Sequence, residues 1–286
     1  MPEGHTLHRL ARALTDRFGG RVMEVSSPQG RFAEAARLLD NTELVDAEAW
    51  GKHLFVRFES DRFVHVHLGL YGKFDVYDGP APAPVGQVRL RLVAAAPAGS
   101  TNGDAAYADL RGATTCDLVT DEQRAAILQR LGPDPLRGDA DPERAWKRVS
   151  RSRTPIGALL MDQTVLAGVG NVYRAEVLFR HRIHPLRPGN TLRRGQFEAI
   201  WHDLVDLMHE GVGSGRIDTV RHEHTPEAMG REPRRDDHGG EVYVYRRHGQ
   251  TCHVCGSKVR TEVLAARNLF WCPRCQPRFR SRAVSR

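Results

Sequence analysis

Four of the five cysteines stand as Cys252-x2-Cys255-x16-Cys272-x2-Cys275. Two CxxC knuckles at this separation supply four thiolates, enough to complete one tetrahedral Zn2+ site in a two-stranded ribbon. Disulfides or redox thiols are the alternatives for such spacing. A four-thiolate shell leaves no open coordination position, so the single metal is expected to be structural, folding a hairpin too small to fold alone. Cys116, the fifth, reads as a buried apolar filler. A second feature is Ala167-Gly168-Val169-Gly170-Asn171-Val172-Tyr173, between two helical patterns. Glycines let backbone N–H groups approach a ligand, and a following helix N-terminus favours an anion such as a DNA phosphate. A plain helix–helix turn explains Gly-x-Gly by itself. The functional reading gains from the basic ribbon downstream.

Charge points the same way. From Tyr245 to Arg286 the chain carries ten Lys or Arg against one acid, Glu262, although the whole chain is only +7. A basic block of this kind suits a polyanion, above all nucleic acid. Hydrophobic residues make up 40% of 286, enough for a sizeable core and two domains. No run of 18 apolar residues is present, and the N-terminus lacks a signal-peptide core, so a cytoplasmic protein is expected.

The elements that must position these groups follow from periodicity. Leu7, Leu10, Leu14 and Phe18 recur at helical spacing until Gly19-Gly20. Val64, Val66 and Leu68 alternate with His65 and His67, as Val88, Leu90 and Leu92 do with Arg89 and Arg91. An α+β chain results: residues 1–130 read as a β-sandwich with flanking helix, and the breaker-rich 131–150 as a linker. The domain at 151–245 is helical, with patterns over Pro155–Leu166, Asn171–Arg182 and Gly195–Glu210. Within it, 221–240 reads as a long mobile loop. A ribbon at 246–276 and a basic tail at 277–286 complete the chain.

Four motifs occur in order: Met1-Pro2-Glu3-Gly4, Gly51-Lys52, Leu166-Ala-Gly-Val-Gly-Asn-Val-Tyr173, and Phe270-Trp-Cys-Pro-Arg-Cys-Gln276. Together they resemble the formamidopyrimidine-DNA glycosylase/endonuclease VIII family across nearly the whole chain. The actinobacterial endonuclease VIII type also begins Met-Pro-Glu-Gly-His-Thr-Leu-His. The resemblance implies an N-terminal β-sandwich, a helix–two-turn–helix domain with the zinc ribbon, and double-stranded DNA held in the cleft between them. It implies a nucleoid-associated bacterial repair enzyme acting on oxidised bases or abasic sites; a monomer is expected because nothing suggests a dimer, and no membrane partner is expected for want of a long apolar run.

The implied roles make chemical sense. Removal of Met1 would expose Pro2 as a terminal secondary amine with a pKa of about 8, against about 10.4 for lysine. Such an amine can attack the sugar C1′ and leave an iminium, an electron sink for strand scission. By resemblance, Glu3 is the general acid/base. Lys52 binds a phosphate and donates a proton in β-elimination. Arg267 grips flanking phosphates and serves δ-elimination. Asn171 binds a phosphate, and Arg130 contacts the DNA. In His67-Leu68-Gly69-Leu70-Tyr71-Gly72, Leu70 and Tyr71 are expected to wedge into the stack and His67 to touch a phosphate. Taken singly, Met-Pro-Glu is a frayed terminus, Glu3 a helix-start acid, and Lys52 a solvated lysine.

Two departures from the family pattern stand out. Thr6 occupies a position where an acid is common, and Gly69 lies where endonuclease VIII can place a DNA-contacting glutamine. The Arg-Phe pair of 8-oxoguanine specialists is also missing from Leu110-Arg-Gly-Ala-Thr-Thr-Cys-Asp117. Oxidised pyrimidines are therefore the favoured substrates. An 8-oxoguanine- or formamidopyrimidine-preferring glycosylase, or a non-catalytic zinc-ribbon protein binding damaged DNA, are the alternatives.

Overall fold

The computed structural model describes residues 2–94, 105–235 and 240–279. The chain divides into two units, Met1–Arg130 and Leu131–Arg286, each with its own apolar core.

The first unit opens with α1 (Gly4–Phe18). Leu7, Leu10, Leu14 and Phe18 form its buried stripe. Gly19 N–H then donates to Thr15 O, and Gly20 turns left-handed at φ +75°. The elements β1 (Arg21–Ser26), α2 (Ala33–Leu39), β2 (Thr42–Trp50), β3 (His53–Phe58), β4 (Arg62–His67), β5 (Lys73–Asp78), β6 (Val88–Ala94), β7 (Ala106–Arg111), β8 (Thr115–Val119) and α3 (Asp121–Gln129) follow. All strand pairs are antiparallel, in the order β5-β7-β6-β1-β2-β3-β4-β8. Strand β1 pairs with β2 through Arg21–Met23 and with β6 through Glu24–Ser26. A strand shared in this way makes the corner of a sandwich. Leu54, Val56, Val64 and Val66 from one layer meet Leu90, Leu92, Ala108 and Leu110 from the other in one core.

The second unit contains α4 (Pro142–Val149), α5 (Ile156–Leu159), α6 (Asn171–Arg180), α7 (Arg194–Ser214), α8 (Pro226–Met229), β9 (Arg260–Leu264) and β10 (Arg267–Trp271). Helix α6 is buried on nearly all sides, against α5, α7 and β10. Its Glu176 carboxylate, 0% exposed, accepts from Thr219 Oγ1 at 2.7 Å and from the N–H groups of Tyr243, Val244 and Tyr245 at 2.6, 2.8 and 2.8 Å. One carboxylate thus secures the turn-rich segment that leads into the ribbon.

Three expectations need correction. Residues 131–150 are not a linker: Gly132 N–H donates to Gln163 O, Ala167 N–H to Pro133 O, and Asp134 is fully buried. The Pro, Gly and Asp residues there build packed turns. A Cβ on Gly132 would lie 2.4 Å from the Val165 carbonyl. The helix expected over Pro155–Leu166 is the single turn α5, after which the Asp162 carboxylate accepts from Thr164 N–H and redirects the chain. Residues 221–235 are not a featureless loop. They hold a 3-10 turn at His222–His224, α8 capped by Thr225, and an Arg231–Glu241 pair at 2.6 Å. Residues 236–239, and 280–286 of the expected basic tail, lie outside the described residues.

Candidate functional site

Pro2 is half-buried, and Glu3 is 0% exposed. Glu3 is the N-cap residue of α1, but its carboxylate does not cap the helix. Its place at the helix start also suits an acid favoured by the helix dipole, so the two readings of Glu3 stand together. Next to it, burial pushes the His5 imidazole down to about 4, leaving it neutral near pH 7. His5 Nε2 lies 3.3 Å from the Thr6 hydroxyl. Sequence reasoning passed over His5, although Glu3-Gly-His-Thr6 was legible. Its burial is a tertiary effect with no local signature.

Lys52 sits in a two-residue turn between β2 and β3, bracketed by the Trp50–His53 pair. Gly51 takes φ +59° there, a conformation glycine adopts without strain. The turn directs Lys52 toward His53 and His67, whose imidazoles its charge helps to hold neutral. Arg130, exposed at the end of α3, adds its charge to His53 and His65. Lys52, His67 and Arg130 thus share one electrostatic neighbourhood. Burial is the larger cause, taking His53 to about 3 and His65 to about 4.

The turn after β4 presents Tyr71 at 86% and Leu70 at 42% exposure, while Leu68 is buried in the core. Gly72 N–H closes the turn onto Leu68 O at 3.0 Å. Gly69 has φ +70°, and a Cβ there would lie 2.4 Å from Thr114 Cγ2. The missing glutamine therefore has a steric reason. Thr114 donates to His67 O at 2.9 Å, so residues 112–114 pack onto this turn.

In the second unit, Asn171 begins α6 after Gly170, and Gly168 takes φ +89°. Gln163 holds this glycine turn, accepting from Gly168 N–H and donating to Val169 O, each at 3.0 Å. Asn171 is 5% exposed and donates to Asn268 O at 3.0 Å. Arg174 donates to the same carbonyl at 3.2 Å and to Asn171 Oδ1. Asn171 and the strand carrying Arg267 are therefore tied together. Arg267 is exposed at the start of β10, just after Ala265 and Ala266, both left-handed at φ +51° and +55°.

Cys252, Cys255, Cys272 and Cys275 place their sulfurs within 4.8 Å of one another, with 252–275 at 3.9 Å and 255–272 at 3.4 Å. A tetrahedral Zn2+ with Zn–S of about 2.3 Å requires sulfur separations of about 3.8 Å. The residues fit one structural zinc. Cys116 is 1% exposed and burial pushes its thiol up to about 12, as befits an inert filler. Among the described residues no helix is long and apolar enough to cross a membrane.

Three family descriptions match the chain. They are the formamidopyrimidine-DNA glycosylase N-terminal domain over residues 1–116, the formamidopyrimidine-DNA glycosylase H2TH domain over 131–222, and the zinc finger found in FPG and IleRS over 249–278. Endonuclease 8 1 of Mycobacterium tuberculosis is 53% identical over 283 residues, spanning 96% of this chain and 100% of its own. A formamidopyrimidine-DNA glycosylase of Thermomicrobium roseum is 31% identical over 251 residues, 85% of this chain and 84% of its own. The Lactococcus lactis Fpg in complex with DNA containing an abasic site superposes with a TM-score of 0.75 at 20% identity, over 96% of this chain and 100% of that one. That likeness concerns the fold.

Proposed function

The chain belongs to the formamidopyrimidine-DNA glycosylase/endonuclease VIII family, and from that premise we propose that it is a bifunctional glycosylase and abasic-site lyase. Its substrate is double-stranded DNA carrying oxidised bases, pyrimidines above purines, and its place of action is the bacterial nucleoid. The observation that carries the reading is Glu3: a fully buried carboxylate, beside Pro2, that does not serve its helix as a cap.

After loss of Met1, the Pro2 nitrogen forms a bond to C1′ while the C1′–N bond to the base breaks, the base leaving with the electron pair and taking up the proton that the Pro2 nitrogen sheds. Glu3 protonates O4′, the ring opens, and the nitrogen lone pair forms the iminium. Water then takes a C2′ proton, and the C–H electrons move toward the iminium. The C3′–O bond breaks, with Lys52 holding the phosphate and supplying a proton. In a second elimination a C4′ proton is lost to water and the C5′–O bond breaks, expelling the 5′ phosphate, which Arg267 steadies through paired guanidinium contacts, and water then hydrolyses the iminium to free Pro2. Asn171 and Arg130 bind the backbone, His67 a phosphate, and Leu70 and Tyr71 fill the space left by the extruded base. The preference for pyrimidines is supported by residues 112–114, which pack onto the wedge turn and carry no Arg-Phe pair.

Borohydride reduction during reaction with thymine-glycol or 5-hydroxyuracil duplexes tests this reading. A covalent adduct is expected, and Pro2→Gly is expected to diminish it. No adduct, or an undiminished one in Pro2→Gly, refutes the nucleophile. Faster release of 8-oxoguanine opposite cytosine than of either pyrimidine refutes the lesion preference.

A further inference from the structure

Beside Lys52 runs a column of flat side chains of which the reaction above uses only His67. His53 and Phe55 lie on one face of β3, and the register Leu54–Val66 and Phe55–His65 brings His65 and His67 of β4 against them. Phe55 stacks on His65 with ring centroids 4.9 Å apart, and His65 stacks on His53 at 5.1 Å. His53 meets His67 edge-on at 5.2 Å. The His53 Nδ1 to His65 Nε2 distance is 2.8 Å, so one ring donates to the other. The Arg124 guanidinium closes one end, 5.8 Å over Phe55 and 5.1 Å over Phe63, and is itself held by Glu48 and Asp121. At the other end His67 Nδ1 accepts from Gly69 N–H at 3.2 Å and lies 3.0 Å from Thr114 Oγ1.

The column therefore touches two parts of the proposed machinery. Its far end grips the base of the Leu70–Tyr71 turn, and His53 is the residue after Lys52. We infer that His53 and His65 are positioning residues that link seating of the Leu70–Tyr71 wedge to placement of the Lys52 ammonium for strand scission. The inference rests on the roles given above to Lys52 and the wedge. Rigid imidazoles and phenyl rings in close packing transmit a shift of His67 without absorbing it in rotamer changes. The rings must stay neutral, because a charged His53 would repel Lys52. Desolvation and the nearby charges of Lys52 and Arg130 keep them so, with Asp117, opposite His65 on β8, the one acid opposing this for that ring.

The test uses the full-length zinc-loaded protein on duplexes with a pre-formed abasic site, with 2-aminopurine beside the lesion reporting wedge insertion. His53→Ala is expected to lower the single-turnover scission rate about tenfold, the scale of a modest misplacement of a catalytic group. It should slow the 2-aminopurine signal as well, with affinity for an uncleavable abasic analogue changed less than threefold. His53→Gln, which keeps a hydrogen bond to His65, should recover part of the rate. In a double-mutant cycle, the losses from His53→Ala and Tyr71→Ala should not add, since both break one linkage. Unchanged scission and insertion in His53→Ala overturn the inference. So does additivity in the cycle, or a scission loss that merely follows a fall in the unfolding midpoint. Lys52→Ala is the reference: wild-type scission in that variant refutes the lysine's own role, whereas impaired scission there with intact scission in His53→Ala refutes only the linkage.

Discussion

Glu176→Gln is the sharpest probe of how the second unit holds its ribbon. The carboxylate accepts four hydrogen bonds in a fully buried site, two on each oxygen when Thr219 and Tyr243 are assigned to Oε2 and Val244 and Tyr245 to Oε1. Glutamine is nearly isosteric, but one oxygen becomes an NH2 that faces two donors. Two charge-assisted bonds are lost, each contributing about 1.5–3 kcal/mol, and the other two weaken to neutral ones. The expected cost is about 3–6 kcal/mol, a large part of the 5–15 kcal/mol that typically separates folded from unfolded domains. With a urea slope of about 2 kcal/mol per molar, the transition of the second unit should move down by about 1.5–3 M. Zinc release to a chromogenic chelator should speed up in parallel, because Tyr243–Tyr245 lead into the first knuckle at Cys252. A midpoint within 0.5 M of wild type, as a rough margin, with unchanged zinc release, would refute the claim that this carboxylate anchors the segment.

Other outcomes follow from the same geometry. Stripping zinc, or replacing Cys272 by Ser, should weaken DNA binding at least about tenfold while the sandwich keeps its β-sheet circular dichroism; binding that survives metal loss contradicts the ribbon's role. Asp203 loses stabilisation by burial but gains more from hydrogen bonds to His181 and Arg180, which hold its carboxyl down to about 2. Its folded pKa lies below the unfolded value of about 3.9, so it contributes about 2 kcal/mol above pH 4 that disappears as pH falls toward 2. Asp203→Asn should flatten that part of the acid unfolding curve, and an unaltered curve would count against the pairing. Tyr71→Ala should slow excision of a paired lesion base about tenfold without changing stability, since the ring is exposed, and should leave scission of single-stranded abasic DNA near wild type. Equal losses on both substrates would rule out a wedge.

The ribbon and α1 were legible because each rests on local spacing: thiolate knuckles in one case, an apolar stripe ended by Gly19-Gly20 in the other. The packed turns at 131–150 were not, because Pro, Gly and Asp mark a turn equally well inside a domain and between domains. Alternation placed Val64 and Val66 in the core but sent His65 outward. In the structure His65 is 7% exposed, covered by its stack with Phe55 and His53. Pro2, Glu3 and Lys52 were singled out through the order of family motifs; nothing in their neighbours announces that Glu3 is buried or that Gly51 turns Lys52 toward two histidines. The histidine column depends on the pairing register of β3 and β4, which alternation alone leaves open.

Gly69 and Thr114 have a consequence for how this branch can change. Any side chain at 69 meets both a left-handed backbone and the Thr114 methyl at 2.4 Å. Trimming Thr114 alone opens a gap beneath the wedge and gives up the hydroxyl bond to His67 O. Either single step is a loss, so a DNA-contacting side chain at 69 is reachable only by changing both positions together. The two residues behave as one heritable unit, and relatives with a glutamine at the first position are expected to carry a smaller residue at the second.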